Sequence, residues 1–428
     1  MSQQSESRNA ATSPHIVTAT SNIGVLEGKH VVLCVTGSIA AYKAVILLRL
    51  LRQEGARVTP LLTRSARQFV GQATFSGLSG EVVRDDFFAE GLAGELHVDL
   101  ATNSDLIMVA PATADVLARL AQGRADDLLC ATVLCSRSPV LIAPAMHPNM
   151  WEHPATQRNV QSLEKLPNIR VVGPEHGPVA SGELGVGRMS EPEQLLDEAL
   201  CSLTDHDLSG RALVVTAGPT LEDLDPVRFV GNRSSGKMGF AIARRAAARG
   251  AEVTLVTGPV DLPTPASVER VNVRSAVAMR GAVWQALGPD LARADALIMA
   301  AAVSDYRPAE TRASKLKREG DRVNLQLLAN PDILAEVGAA RQLKLPVLVG
   351  FAVEADEEPK VANYARGKLE SKKVDMVVAN HARDSFGRED NRALLVTPGD
   401  IVSLGFLPKR VLAERILDWV RASIEERC

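Results

Sequence analysis

The chain has 428 residues, of which 46% are hydrophobic and 23% charged, and its formal net charge is −3. This composition predicts a folded protein of two or three domains, and it argues against a nucleic-acid-binding surface or an acidic tail. No apolar run approaches the ~18 residues of a membrane span. The five cysteines form no C-x-x-C pair, and the histidines show no zinc spacing. We therefore expect a cytoplasmic protein with reduced thiols and a disordered N-terminal tail over residues 1–27.

Short continuous apolar runs alternate with amphipathic segments along the rest of the chain. In order they include HVVLCV, RVTPLL, DLIMVA, PVLIA, RVVG, RALVVTAG, EVTLVT, ALIMAAA, PVLVGF, VDMVVA and ALLVT. Continuous runs are typical of strands that are buried on both faces of a parallel sheet. The alternation of strand and helix therefore predicts an α/β doubly wound fold with mainly parallel sheets.

The order of elements repeats. HVVLCVTGSIAAYK and RALVVTAGPT each begin a series of strand, glycine turn, helix, glycine and strand, and NSDLIMVAPATAD is echoed by RADALIMAAAVSD. We therefore predict two tandem Rossmann-like domains, over 28–204 and 209–428.

Ligands of open α/β sheets bind where the parallel strands end. Four predicted strand ends carry turn-forming or polar residues, at 37–38, 110–115, 143–151 and 300–307. Each of them alone is also compatible with an ordinary tight turn. The first turn, TGSIAAYK, lacks the G-x-G-x-x-G spacing and the acidic residue of NAD sites. A glycine-serine turn at a helix start suits a phosphate, so FMN is favoured over NAD.

The segment VGNRSSGKMG, residues 230–239, begins like a phosphate loop, G-x-x-x-x-G-K. Met238 stands where such a loop needs Ser or Thr to hold Mg²⁺, and the segment does not directly follow a buried strand. Both features argue against a P-loop. Gly236 and Gly239 still allow the backbone to approach a phosphate at the start of a helix.

Longer motifs identify a family. The first half carries GSIAAYK, APATAD, GRADDLL, PAMHPNMW and GVGRM, and the second half carries TAGPT, DPVRFVGNRSSGKMG, AAAVSDYR, SKLK and NPDIL. From about residue 29 onward the sequence resembles the bifunctional phosphopantothenoylcysteine decarboxylase / phosphopantothenate–cysteine ligase family of coenzyme A biosynthesis. The resemblance implies an FMN-dependent decarboxylase domain, then a CTP-dependent ligase domain that uses Mg²⁺, in a homo-oligomer. The implied substrates are 4′-phosphopantothenate, cysteine and CTP.

In the ligase half, the resemblance implies an acyl-cytidylate formed by attack of the substrate carboxylate on CTP. Asn232 would donate to the acyl carbonyl, Lys315 would be the catalytic lysine, and Asp305 would fix the nucleotide directly or through Mg²⁺. The implied CTP contacts are Ala300, Ala301, Asp305, Lys315, Pro331, Asp332, Ile333, Leu334, Phe351, Lys368 and Lys372. The last two lysines are four residues apart, so they share one helix face, which is also the pattern of a solvated surface.

In the decarboxylase half, the resemblance implies that a flavin supplies the electron sink that loss of carbon dioxide requires. His97 would be the active-site base. The implied FMN contacts are Gly37, Ser38, Thr63, Ser65, Pro111, Ala112, Thr113, Ala114 and Met146.

Two residues depart from the family pattern. His147 replaces the Asn of P-A-M-N that binds the substrate carboxylate, and we expect the neutral imidazole to take that role. Ser181 replaces a Cys that helps to reduce the enethiol intermediate, and serine is a far weaker acid than a thiol. We expect full activity. The alternatives are a decarboxylase half that stops at the enethiol or acts as a non-catalytic flavin-binding regulator, and, from composition alone, an NAD-dependent oxidoreductase.

Overall fold

The computed structural model describes residues 16–19, 24–87, 95–317, 324–354, 358–381 and 390–427. The chain divides into a first unit, Ile23–Asp205, and a second unit that joins Met1–Asn22 to His206–Cys428. The strand β1 (Ile16–Ala19) pairs in parallel with a C-terminal strand of the second unit. This pairing departs from the predicted disordered tail at residues 16–19, because a strand that adds to a sheet edge gains main-chain hydrogen bonds. For residues 1–15 and 20–23, which lie outside the described part of the chain, the tail stays a prediction.

Both units are α/β structures built on parallel sheets, so the predicted fold class is confirmed. Within the described residues, no helix is long and apolar enough to span a membrane.

In its described residues, 24–87 and 95–205, the first unit has seven strands and eight α-helices. Its strands are β2 (His30–Val35), β3 (Arg57–Leu62), β4 (Leu106–Ala112), β5 (Val140–Pro144), β6 (Ile169–Val171), β7 (Glu175–Pro178) and β8 (Leu184–Arg188). Its helices are α1 (Ala41–Gln53), α2 (Gln72–Ser79), α3 (Leu96–Thr102), α4 (Ala114–Ala121), α5 (Leu128–Cys135), α6 (Pro148–Glu152), α7 (Pro154–Leu163) and α8 (Pro192–Ser202).

The main sheet of the first unit has the strand order β3-β2-β4-β5-β6, and every neighbouring pair is parallel. Counted from β2, this is the order 2-1-3-4-5 of flavodoxin-like sheets, whose ligand crevice lies where the order reverses. The crevice is therefore expected at the carboxyl ends of β2 and β4. Both strands are buried from both sides, and Cys34 is fully buried, which raises the pKa of its thiol.

The second unit adds the remaining strands and helices. Its strands are β9 (Ala212–Ala217), β10 (Leu221–Asp223), β11 (Phe229–Gly231), β12 (Glu252–Thr257), β13 (Val268–Asn272), β14 (Ala296–Met299), β15 (Tyr306–Pro308), β16 (Leu327–Ala329), β17 (Val347–Glu354), β18 (Met376–His381), β19 (Asp390–Val396) and β20 (Ile401–Pro408). Its helices are α9 (Lys237–Ala248), α10 (Ala276–Leu287), α11 (Ile333–Ala340), α12 (Glu358–Ser371) and α13 (Lys409–Glu425).

The main sheet of the second unit runs β13-β12-β9-β14-β17-β18-β19-β20-β1. Its first six strands are parallel and follow the Rossmann order 3-2-1-4-5-6, whereas β19 is antiparallel to both of its neighbours. The order reverses between β9 and β14. A ligand crevice is therefore expected at the carboxyl ends of these two strands.

Helix α9 lies unusually close to strand β9 because Gly239 has no side chain. A Cβ atom at Gly239 would lie 2.6 Å from the Ala217 Cβ atom and 2.7 Å from the Thr216 backbone oxygen. This close approach sets the N-terminal end of α9 against the crevice.

We predict that Gly239→Ala destabilises the protein by about 1–3 kcal/mol, because helix and strand must separate to admit the methyl group. The control is Gly281→Ala in α10, where an added Cβ meets nothing within 4 Å. This control should stabilise the helix by roughly 0.5–1 kcal/mol. Urea unfolding measures both changes. A midpoint for Gly239→Ala at or above that of the wild type would contradict the close packing.

Candidate active sites

The second unit contains a cavity of about 790 Å³ at the carboxyl end of its sheet. We call it the ligase cavity, after the activity predicted for this half of the chain. It gathers most of the residues for which the family resemblance implies a role in ligation. On its wall lie Asn232, Ala300, Ala301, Asp305, Pro331, Asp332, Ile333, Leu334, Phe351, Lys368 and Lys372.

Three loops meet at the mouth of the ligase cavity. The Asn232 side-chain amide donates to the Val303 carbonyl at 2.9 Å. The Asn330 amide donates to the Ser304 carbonyl at 2.9 Å, and its backbone N–H donates to the Asp305 carbonyl at 2.8 Å. These bonds hold the segments after β11, β14 and β16 in a fixed arrangement around Asp305.

The N-terminus of α9 faces the same cavity. Gly236 has φ +74°, a left-handed conformation that favours glycine, and both Gly236 and Lys237 line the wall. A helix N-terminus carries partial positive charge and suits an anion. The segment 230–239, which begins like a phosphate loop, therefore places a helix N-terminus on the cavity. This agrees with the expectation that Gly236 and Gly239 allow the backbone to approach a phosphate.

Cations outnumber carboxylates on the wall. Lys372 forms an ion pair with Asp332 at 2.9 Å, and the Asp332 carboxylate also caps α11 by accepting from the Ala335 N–H. The Lys368 ammonium lies 5.3 Å from the centre of the Tyr364 ring. The cationic residues are Arg233, Lys237, Lys368, Lys372 and Lys409, against the carboxylates of Asp305 and Asp332. A polyanion such as a triphosphate suits this charge balance.

Lys315 is not among the residues that line the ligase cavity. It is exposed and lies on a loop whose next residue, Leu316, donates its backbone N–H to the Asp225 carboxylate at 3.0 Å. The adjoining residues 318–323 lie outside the described part of the chain. The catalytic role of Lys315 therefore stays a prediction.

Three polar residues of the ligase cavity, Asn380, Asn391 and Lys409, lie outside every motif that the sequence analysis used. They lie on β18, β19 and the first turn of α13. No motif marks them, because strands that pair at a distance along the chain bring them together.

The first unit contains a cavity of about 630 Å³, which we call the flavin cavity after its predicted ligand. Of the predicted residues, Ser38, Met146, His147 and Ser181 line it, and Tyr42, Lys43 and Arg188 join them. Ser181 lies in the turn between β7 and β8, which form an antiparallel hairpin.

The ends of β2, β3 and β4 are tied together beside the flavin cavity. The Thr36 hydroxyl donates to the Pro111 carbonyl at 2.6 Å, and the Ala145 N–H donates to the Ala112 carbonyl at 2.9 Å. A Cβ atom on Gly37 would lie 2.6 Å from the Ser65 Cβ atom. The predicted positions after β2 and β4 therefore meet at the switch point of this sheet.

The remaining predicted FMN contacts take other positions. Thr113 caps α4 by accepting from the Val116 N–H, and Ala114 is the first residue of that helix. Thr63 and Ser65 line a separate hollow of about 560 Å³, whose charged residues are three arginines and three aspartates: Arg64, Arg119, Arg124, Asp115, Asp126 and Asp127.

His147 has a partner on each ring nitrogen. Its Nδ1 atom accepts from the Asn149 backbone N–H at 3.2 Å, and its Nε2 atom lies 2.7 Å from the Glu183 carboxylate. An Nδ1 atom that accepts a hydrogen bond carries no proton, so this arrangement favours the neutral tautomer with the proton on Nε2.

Lys43 is a buried cation on the wall of the flavin cavity. It is 5% exposed, and its ammonium donates to the Met189 carbonyl at 2.8 Å and to the Glu191 carboxylate at 3.2 Å. Burial, with a further contribution from Arg188, lowers its pKa to about 8. The motif GSIAAYK contains this lysine, but nothing in that motif indicates that its side chain is buried.

His97 does not line the flavin cavity. It lies on α3, where its ring meets the Phe87 ring edge-to-face with the centroids 5.6 Å apart. A ligand in the flavin cavity would therefore not contact His97 directly, and the role of His97 as a base stays a prediction.

Among the described residues, no group of three or more His, Cys, Asp and Glu side chains is arranged to hold a metal ion. Asp305 and Asp332 are the carboxylates among the described residues of the ligase cavity, and Asp332 is paired with Lys372, so Mg²⁺ would need most of its ligands from a bound nucleotide.

Comparison with known proteins assigns both halves. Residues 20–203 match the family model described as flavoprotein, and residues 208–424 match the model of the DNA/pantothenate metabolism flavoprotein C-terminal domain. The coenzyme A biosynthesis bifunctional protein CoaBC of Vibrio parahaemolyticus is 41% identical over 92% of this chain and 98% of its own length. The protein of the same name from Mycobacterium bovis is 46% identical over 91% of this chain and 96% of its own. The chain belongs to this family of bifunctional coenzyme A biosynthesis proteins.

Two solved structures are also similar. The C-terminal domain of a CoaBC protein is 37% identical over 52% of this chain and all of its own, with a TM-score of 0.43. The FMN-dependent cysteine decarboxylase SpaF is 34% identical over 37% of this chain and 91% of its own, with a TM-score of 0.35. The family predicted from the motifs is confirmed by the bifunctional relatives, and with it an enzyme that combines ligase and decarboxylase functions.

The lowered pKa of Lys43 predicts a dependence of stability on pH. The unfolded lysine keeps its proton up to about 10.5 and the folded one only to about 8, so between these values the unfolded chain binds more protons and stability rises with pH. A difference of this size corresponds to about 3 kcal/mol. Relative to Lys43→Met, the wild type should therefore gain stability as the pH rises from 8 to 10.5.

Denaturant unfolding of both proteins at several pH values measures this gain. The Lys43→Met variant subtracts the titration of the other lysines. A stability difference between the two proteins that is constant over this pH range would contradict the burial of a charged Lys43.

Proposed function

We propose that the second unit ligates 4′-phosphopantothenate to cysteine with CTP, and that the first unit decarboxylates the product to 4′-phosphopantetheine with FMN. The observation that carries the proposal is the gathering of the ligase residues on one cationic cavity, within a chain whose bifunctional relatives match it over nearly their full length. Each unit then catalyses one of two consecutive steps.

The ligation begins with two anions that must meet. The substrate carboxylate attacks the α-phosphorus of CTP, the bond to the β-phosphate breaks, and pyrophosphate leaves. The lysines of the wall and the N-terminus of α9 offset the repulsion between carboxylate and triphosphate. Asp305 is placed to fix the nucleotide, and Mg²⁺ bound mainly by the phosphates would complete the charge balance.

Asn232 suits the acyl-cytidylate that results. Its amide carries two N–H hydrogens, and only one of them is needed for the Val303 carbonyl. The second can donate to the acyl oxygen, where negative charge develops when the cysteine amine attacks. The amine then forms the new C–N bond, the C–O bond to the phosphate breaks, and CMP leaves.

The donors around the first switch point fit FMN. Gly37 packs against Ser65 and leaves the backbone after β2 accessible, because it has no side chain. Arg64 adds a cation to the hollow that Thr63 and Ser65 line, whereas Arg119 and Arg124 there are paired with aspartates. FMN, when bound, supplies the oxidation of the substrate thiol and the later return of a hydride. In this proposal the chain contributes position and protons: neutral His147 donates from Nε2 to the substrate carboxylate in exchange for Glu183.

Ser181 is the residue on which complete turnover depends. It lines the same cavity as His147, so its hydroxyl can reach a substrate bound there. After carbon dioxide leaves, the enethiol carbon needs a proton and a hydride to become the thiol product. A hydroxyl is a poor acid, so we expect this reduction to be the slow step.

Product analysis tests the proposed function. Purified protein is incubated with 4′-phosphopantothenate, cysteine, CTP, Mg²⁺ and FMN, and the products are identified by mass spectrometry. We expect 4′-phosphopantetheine together with pyrophosphate and CMP. Accumulation of an enethiol would instead support a decarboxylase half that stops before reduction. If neither pyrophosphate nor a cysteine adduct forms, the ligase proposal fails.

Asn232→Asp separates the two activities. A carboxylate in this place cannot donate and repels the developing oxyanion, so we expect ligation to fall by 10²-fold or more. Decarboxylation of added 4′-phosphopantothenoylcysteine should stay unchanged, because that reaction needs only the first unit. Equal losses of both activities would show general misfolding instead of a specific role.

Ser181→Cys tests the slow step. A thiol is the better acid, so we expect single-turnover reduction of the enethiol to accelerate by roughly 10-fold or more, with the rate of carbon dioxide release unchanged. Ser181→Ala is the matched control and should slow reduction. If all three proteins reduce the enethiol at one rate, another group supplies the proton.

The homo-oligomer and the cytoplasmic location predicted from the sequence stay predictions. In such an oligomer, a neighbouring copy would complete the site around His97.

A further inference from the structure

The start of α9 is packed against a residue that lies outside the ligase cavity. Gly236, directly before α9, and Gly218, directly after β9, both have left-handed φ values, +74° and +73°. A Cβ atom on either glycine would lie 3.0 Å from the Val260 Cγ1 atom. One valine side chain therefore packs against both turns, at the point where the N-terminus of α9 meets the sheet.

Val260 belongs to the loop that joins β12 to β13, residues 258–267. The loop begins against the sheet, because the Gly258 N–H donates to the Ala217 carbonyl at 2.9 Å. Val260 follows two residues later and is half-buried. Its contact with the two glycines therefore depends on what holds the middle of the loop in place.

Arg270 on β13 holds the middle of this loop. Its guanidinium donates to the Leu262 carbonyl at 2.7 Å and, over a longer distance of 3.5 Å, to the Val260 carbonyl. Its Nε atom donates to the Asn272 side-chain oxygen at 2.8 Å, which orients the guanidinium along the strand. A planar group with five N–H donors can bind several carbonyls at once, whereas an ammonium has three donors on one atom.

The same guanidinium contacts the first turn of α9. Its Cζ atom lies 5.3 Å from the centre of the Phe240 ring, within the range of a cation–π interaction. Phe240 is buried, and its backbone N–H donates to the Gly236 carbonyl at 3.1 Å. Arg270 therefore joins the loop to the helix start. Arg270 is not among the residues that line the ligase cavity, so its effect on a ligand there would pass through Val260 and Phe240.

The first N–H groups of a helix have no partner within the helix, and they stabilise an anion best when their directions are fixed in advance. In α9 these groups belong to residues 237–239, which line the ligase cavity. We propose that Arg270 is a positioning residue for the phosphates of CTP. It holds Val260 against the turn at Gly236, and this contact fixes the first turn of α9 toward the cavity. The inference rests on the proposed ligase function.

Kinetics with each substrate varied separately test the inference. Arg270→Met removes the hydrogen bonds but keeps an apolar stem beside Phe240, so we expect the KM for CTP to rise roughly tenfold or more. The KM for cysteine should stay within about twofold, because only the phosphate site is disturbed. Arg270→Lys keeps one donor group and should lie between the wild type and the methionine variant.

Arg280→Met is the matched control. It removes another arginine of the second unit, which forms an ion pair with Glu336 at 2.6 Å and lies outside the cavity wall. All three KM values of this variant should equal those of the wild type.

A double-mutant cycle tests whether Arg270 acts through Val260. Val260→Ala alone should also raise the KM for CTP, because it removes the methyl groups that contact the two glycines. In the double variant the KM should rise hardly further than in the more affected single variant, since both changes release the same contact. Effects that multiply would show two independent roles and would overturn the proposal. Val277→Ala, at an exposed position of α10, is the control for the loss of valine methyl groups.

Hydrogen exchange in the ligand-free full chain gives a readout that does not depend on activity. In Arg270→Met the Phe240 amide should exchange faster, whereas the Arg249 amide at the other end of α9 should keep its protection. Loss of protection along the whole helix would show general destabilisation, and Arg270→Lys is then measured under the same criteria. Unchanged exchange at Phe240 would overturn the proposal.

The kinetic outcomes separate this inference from the proposed function. An unchanged KM for CTP, or equal increases in the KM values for CTP and cysteine, would overturn the positioning role while the wild type still turns over. A wild-type protein that releases no pyrophosphate from CTP would instead refute the proposed ligase function, and the inference with it.

Discussion

The order in which parallel strands reverse is the constraint on which both sites depend. Where successive connections pass to opposite faces of a sheet, two neighbouring strands end beside an open crevice. The first unit has this reversal between β2 and β4, and the second between β9 and β14. Each crevice is formed by main-chain groups, the start of a helix and short loops. The two crevices differ in the side chains on those loops.

The ligase cavity extends well beyond its switch point. Asn232 and the α9 N-terminus lie near the reversal, whereas Asn380 and Asn391 lie on β18 and β19, at the far side of the parallel strands. The antiparallel strand β19 makes this extension possible, because it brings its first residues to the edge where the parallel strands end. A reaction that joins three substrates can use such a long wall, and its lysines suit the anionic substrates.

Local patterns predicted the fold class and most of the ligase wall. Continuous apolar runs and glycine turns are short-range signals, so the parallel strands could be found from the sequence. Asn232, Asp305 and Lys372 were instead named through the resemblance of their motifs to a known family. Burial and long-range pairing are not short-range signals, which is why Lys43, Asn391 and Lys409 were missed. The N-terminal strand β1 was missed for the same reason, since its partner β20 lies at the other end of the chain. Lys315 and His97 belong to recognised motifs, yet they lie off the cavities.

Hydrogen exchange tests most directly the claim that the two reactions use separate switch points. The amides of one preparation are followed after addition of FMN alone and of CTP with Mg²⁺ alone. FMN should protect the segments after β2 and β4, around Gly37 and Thr113, and leave the second unit unchanged. CTP should protect the segments around Gly236 and Ala301 and leave the first unit unchanged. Protection of both sets by one ligand, or of neither set by its own ligand, would contradict the account.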